Sequence, residues 1–164
     1  MRVSIFALLL LLFSAAALEG QTCRSGPLPL LQSLFPNEIE GMPRQLYGVN
    51  GGCYTNIYRP AGSERGSGVP WAVVMIEEHN DPFLGDDPDR LAEHYERAGL
   101  PTESVGGWPV AYEGTSDLGD RFVTLKDRLR VTVLVKEGTD LASSRALTSR
   151  VLARILPGIL LPCT

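Results

Sequence analysis

Two strand-like runs, Arg121–Lys126 and Leu129–Val135, are separated by Asp127 and Arg128 alone. A link of two residues can join only antiparallel neighbours, because a parallel return needs a crossover of a dozen or more residues. The same constraint acts earlier in the chain. Asn50-Gly51-Gly52 stands between Gln45–Val49 and Cys53–Tyr58, and Asn-Gly accepts the positive φ that tight hairpin turns need. Trp71–Glu78 holds the continuous apolar run Ala72-Val73-Val74-Met75-Ile76 and predicts a further strand. Trp108–Tyr112 predicts another, and Pro109 makes it an edge or a strand start.

Two helices complete the pattern. Asp87 is placed to cap the first, Pro88 suits its first position and Gly99 stops it. Leu91, Ala92, Tyr95 and Ala98 share one face, and Glu93 and Arg97 are spaced i, i+4 on the wet side. The second helix runs from an N-cap at Asp140 to Leu156. Leu147, Val151, Leu152 and Ile155 form its apolar stripe, and Pro157-Gly158 ends it. The expected fold is therefore α+β: a mainly antiparallel sheet of five to six strands, with two helices packed on one face. The order of elements over residues 45–156 resembles that of PsbP/Mog1-like domains. The resemblance is one of layout and carries no functional residue across.

The start of the chain reads as an export signal. Met1 and Arg2 precede the apolar run Ile5–Phe13, which gives way to Ser14-Ala15-Ala16-Ala17. The run is too short to span a bilayer, which needs roughly 20 apolar residues. Cleavage is expected after Ala17, with Gly20 the alternative. The residues before Cys23 are Gly20, Gln21 and Thr22, which do not match a lipidation site. The reading divides the chain into a signal peptide at 1–17, a lead-in at 18–44 and one α+β domain at 45–164. After cleavage no membrane span is expected, and the location is periplasmic or secreted.

The formal charge of −4 is mildly acidic and gives no basis for a nucleic-acid partner. Three cysteines outlast the leader, so one thiol stays unpaired within the chain. Cys23 and Cys163 lie near the two ends of the mature chain, and domain termini tend to lie close together. A Cys23–Cys163 disulfide is the expected pairing, with Cys53 a small apolar residue in a strand. Cys53–Cys163 is the rival.

No catalytic set assembles from the residues. His79 and His94 are the two histidines. Gly114-Thr115-Ser116-Asp117-Leu118-Gly119 misses a nucleophile elbow by one position, because Leu118 stands where glycine is required. Cys53 has no histidine near it in sequence to act as a base. The acidic stretch from His79 to Asp89 has carboxylates that suit calcium, yet Pro82 and Pro88 break any EF-hand spacing. No cofactor and no metal site is expected.

Aromatic residues offer the remaining signal. Tyr47, Tyr54, Tyr58, Trp71, Trp108 and Tyr112 fall on or beside predicted strands. Along Cys53–Tyr58, alternation sets Tyr54, Asn56 and Tyr58 against Cys53, Thr55 and Ile57. The set holding Asn56 is expected to be the more exposed, which makes Tyr54, Asn56 and Tyr58 the candidate binding face. The function expected is a non-catalytic exported domain that binds a protein or cell-wall component of the envelope. A small exported enzyme with dispersed catalytic residues and an acidic-loop metal module are the alternatives.

Overall fold

The computed structural model describes residues 34–50, 53–63, 70–79, 87–126, 129–136 and 140–159. Eight strands form one sheet: β1 (Glu38–Ile39), β2 (Met42–Asn50), β3 (Cys53–Tyr58), β4 (Trp71–Glu78), β5 (Thr102–Val105), β6 (Trp108–Ser116), β7 (Gly119–Lys126) and β8 (Leu129–Lys136). Helix α1 (Pro88–Arg97) lies between β4 and β5, and α2 (Leu141–Ile159) follows β8. The spatial order is β1-β2-β3-β4-β8-β7-β6-β5, antiparallel throughout. Two four-strand meanders thus meet at β4 and β8, and α1 carries the chain from the centre of the sheet to its far edge.

The sheet exceeds the expected five to six strands by β1 and β5. β1 has only two residues and shows no period. β5 reads Thr-Glu-Ser-Val, too polar to announce a strand, and only Val105 in it is buried. Its signal lies in the turn. Gly106 and Gly107 have φ of 59° and 79°, the pair of positive values that a two-residue hairpin demands.

The helices do not share a face, which corrects the sequence expectation. Val110 and Phe122 belong to the core that contains Leu147, Val151, Leu152 and Ile155 of α2. Ala111 and Val123 belong to a second core with Leu91 and Tyr95 of α1. Neighbouring residues of a strand point to opposite faces, so α1 and α2 pack on opposite sides. The physical reason is visible in β7, where Phe122, Val123, Thr124 and Leu125 are all buried. A strand buried at both parities is covered twice.

The larger core also takes in Leu34, Phe35, Ile39 and Met42, so packing reaches upstream of residue 45. It covers Tyr54 and Tyr58 as well, and this overturns the proposed binding face. Tyr54, Asn56 and Tyr58 are 6%, 0% and 0% exposed, whereas Cys53, Thr55 and Ile57 are half-buried. The alternation is real but its sign is reversed: the aromatic set meets Ala72, Val74 and Ile76 of β4 in register beneath the core. Large aromatic rings carry more apolar area into the core than Cys53 or Thr55 could. Tyr58 keeps its polar end satisfied by donating to the Pro36 carbonyl at 3.0 Å. Burial pushes its phenol up to about 12, against the opposing pull of Arg44. The Asn56 amide is fully buried, with neither its oxygen nor its nitrogen hydrogen-bonded among the described residues.

The helix ends follow elementary capping rules. The Asp87 side chain accepts from the amides of Asp89 and Arg90 at 3.0 and 3.3 Å, Pro88 opens α1, and Gly99 follows its C-cap at φ 68°. Helix α2 passes the expected stop at Leu156 and includes Pro157 in its last turn. That proline lacks the amide that would bond the carbonyl of Ala153. Lys126, reaching up from β7, donates to the Leu156 carbonyl at 2.9 Å. No described helix is long and apolar enough to cross a membrane.

Candidate functional site

At one end of the sheet, the β6–β7 hairpin, the tip of β8 and the first turn of α2 enclose an open cleft of about 350 Å³. The hairpin supplies Thr115, Ser116, Gly119 and Asp120 to its walls. β8 supplies Lys136, and the α2 end supplies Asp140, Leu141 and Ser144.

Asp120 is the centre of this arrangement. It lies opposite Thr115 on β6 and Val135 on β8, and is 9% exposed. Thr115 Oγ1 donates to its Oδ1 at 2.5 Å. A threonine has one hydroxyl proton, so the 2.6 Å contact between Tyr112 and Thr115 must run from the tyrosine hydroxyl to Thr115 Oγ1. This relay fixes one carboxylate oxygen. No ion pair to a described residue engages Asp120. Ser144, 2% exposed, also lines the cleft, and its hydroxyl has no hydrogen-bond partner among the described residues. Lys136 is exposed at the rim and likewise forms no ion pair with a described residue.

The other polar groups are already committed. Asp140 accepts from the Ser143 amide at 2.8 Å and from its hydroxyl at 3.0 Å. These bonds hold its carboxyl below the ordinary value. Ser116 Oγ donates to the Gly119 carbonyl at 3.3 Å and accepts from the Leu118 amide at 3.2 Å, closing the hairpin turn. The segment that nearly spells a nucleophile elbow is thus a hairpin loop, with its serine tied into the turn. Gly119 is required there. A Cβ at this position would stand 2.4 Å from the Val135 carbonyl oxygen, at φ 119°.

Neither histidine nor Cys53 reaches this cleft. His94 is exposed on α1 with its ring 5.8 Å from that of Tyr95. His79 follows β4 and is half-buried, and its Nε2 is buried without a partner among the described residues. Cys53 is a free thiol whose Sγ lies 3.9 Å from Thr55 Oγ1. Cys23 and Cys163, residues 80–86 of the acidic stretch and the Tyr47 side chain lie outside the described residues. Among the described residues no group of three His, Cys, Asp or Glu could hold a metal. Trp71 lines a small recess with Ile57, Arg59 and Val73 on the α1 side of the sheet, away from Asp120.

On that same face a chain of charges crosses the strands. Arg121 meets Glu113 at 2.9 Å, Glu113 meets Arg130 at 3.3 Å, and Arg130 meets Glu77 at 3.8 Å. These side chains are partly solvated, so each pair is worth about 0–1 kcal/mol. They rim the α1 core rather than build a pocket.

Thr115, Ser116 and Gly119 belong to the near-elbow motif, which is a hairpin loop here, and Asp120, Lys136 and Ser144 stand in no motif of their own. The signal for Asp120 was its place in β7. A carboxylate one residue after a turn, on the parity of buried Phe122 and Thr124, faces the packed side of the sheet. No family model, curated protein or solved structure matches the chain.

Proposed function

We propose that the chain is an exported, non-catalytic domain, periplasmic or secreted, that binds a protein or cell-wall component of the envelope in the cleft around Asp120. The observation that carries this reading is a nine-tenths-buried carboxylate, with one oxygen fixed by the Tyr112–Thr115 relay, facing a cleft to which no histidine or cysteine among the described residues contributes. Such a donor set can recognise a ligand through a charge-assisted hydrogen bond to the carboxylate. The leader at residues 1–17 supports the envelope as the place where the ligand is met. The resemblance to PsbP/Mog1-like domains belongs to the same proposal, as one of element order.

Two measurements test it. Mass spectrometry of the exported protein should find Leu18 at the N-terminus. Immobilised protein should retain an envelope component that Asp120→Asn fails to retain. An intact Met1, or retention indifferent to Asp120, would overturn the reading.

A further inference from the structure

We infer that the cleft receives a lysine side chain of a polypeptide partner, with its ammonium on Asp120 and Ser144. This rests on the binding reading above and names the group recognised.

Asp120 has no cation of its own among the described residues. It is in register with Val135, whereas Lys136 is in register with Trp71, so the two side chains leave the sheet on opposite faces. Its Oδ1 accepts from Thr115, and its Oδ2 accepts from no described residue. A carboxylate 9% exposed without a countercharge is costly. A cationic N–H donor completes it best, because hydrogen bonds between charged groups are the strong ones.

Ser144 is a second, independent sign of a ligand. It is 2% exposed and lines the cleft. A serine within a helix ordinarily points to solvent or donates to the carbonyl four residues back. Thr148, one turn later, donates in this way to Ser144 at 2.8 Å. The Asp140 carbonyl instead takes the Ser144 amide, at 3.4 Å, and the Ser144 hydroxyl has no described partner. A buried hydroxyl left unpaired costs free energy. Its oxygen is a neutral acceptor on the same cleft wall as the carboxylate.

Asp140 adds a second negative charge to that wall. Its bonds from Ser143 hold the carboxyl below its ordinary value, so it stays charged, and each oxygen keeps a further lone pair. It also offsets the positive end of α2, which would otherwise repel a cation here.

The donor geometry selects lysine. A guanidinium fork matches both oxygens of one carboxylate, and Thr115 already engages one of those of Asp120. An ammonium has three rotatable donors and reaches acceptors on separate residues. Leu141, partly buried on the wall, offers apolar contact to the methylene stem. The cleft is open, so the stem enters while the partner's backbone stays outside.

Titration of the isotope-labelled protein with Nα-acetyl-lysine methylamide, followed by backbone amide shifts, tests the assignment. Its Nε-acetyl form, the norleucine and arginine analogues and calcium chloride are the comparisons. The lysine compound should bind and shift the amides of Gly119, Asp120 and Ser144. Removing its charge in the Nε-acetyl or norleucine form should weaken binding about tenfold or more. Asp120→Asn keeps the acceptor for Thr115 and should weaken the lysine compound equally. Ser144→Ala leaves the charge unchanged and should weaken it about twofold to tenfold. No binding, equal binding of the neutral forms, or tighter binding of the arginine analogue or of calcium would overturn the assignment. These comparisons on the wild type decide the matter even if a variant fails to fold. If an envelope component is retained through Asp120 while the lysine compound fails, only the lysine assignment falls. If the lysine compound binds through Asp120 and no envelope component is retained, the site stands and the envelope reading falls.

Discussion

Lys126 and Leu156, 30 residues apart, meet where the Lys126 ammonium donates to the Leu156 carbonyl at 2.9 Å. Leu156 is in the last turn of α2, where carbonyls lack an intrahelical donor. A cation at a helix C-terminus also opposes the negative end of the helix dipole. The same ammonium stands 5.0 Å from the Trp108 ring centroid, and the Trp108 indole donates to the Leu125 carbonyl at 2.6 Å. One buried lysine therefore ties β7, the start of β6 and the end of α2 together. Lys126→Met keeps the aliphatic stem but removes the charged donor. It should cost about 1.5–3 kcal/mol in denaturant unfolding. A loss under about 0.5 kcal/mol would show that the contact is not a structural tie.

The buried row on β3 makes opposite predictions for adjacent positions of one face. Tyr54→Ala and Tyr58→Ala each remove a core aromatic and should cost about 3–5 kcal/mol. Asn56→Leu replaces an unpaired amide with an apolar group of similar shape, and should be neutral or stabilising. Equilibrium unfolding of the three variants decides the matter. Destabilisation by Asn56→Leu as large as that of the tyrosine variants would mean that the amide is engaged.

Alkaline unfolding should report on Tyr58. Its folded phenol holds its proton up to about 12, against an ordinary value of 10.0. Below pH 10 both states are protonated and the stabilisation is fully present. Between pH 10 and about 12 the unfolded phenol ionises first, so stability falls as pH rises, with a slope of up to about 1.4 kcal/mol per pH unit. Tyr58→Phe should remove that part of the slope. At neutral pH it should cost only about 0.5–1.5 kcal/mol for the lost bond to Pro36. An unchanged alkaline slope would contradict the burial of this hydroxyl.

Asp87→Ala should cost about 1 kcal/mol, because the side chain satisfies two amides in the first turn of α1. The loss should appear in thermal unfolding. A variant as stable as the wild type would show the cap to be dispensable.

These elements differ in how far they could be read from residues alone. Asp87, Pro88 and Gly99 bracket α1 by local chemistry, so its limits were visible. The antiparallel pairings followed from short links at Asn50-Gly51-Gly52 and Asp127-Arg128. The face of each strand was harder, because alternation tells which residues go together and not which way they point. On β3 both sets were mixed, and burial was decided by α2 and the segment Leu34–Met42 arriving from elsewhere. β5 was hidden because its contacts come from β6 and both helices, not from apolar content. One of these is the 3.3 Å bond from Ser149 to Glu103. The cleft was hidden for the same reason: Thr115, Asp120, Lys136 and Ser144 come from four elements, and no spacing in the chain relates them.

The most direct test of the cleft as the binding surface compares two exchanges on different parts of the sheet. Asp120→Asn alters the cleft, and Val73→Ser alters the half-buried α1-side face beside Trp71. Retention of the envelope component by the two immobilised variants, each confirmed folded by its unfolding transition, should fall about tenfold or more for Asp120→Asn. It should stay at the wild-type level for Val73→Ser. The reverse pattern, with binding lost through Val73 and kept without the Asp120 charge, would contradict the account.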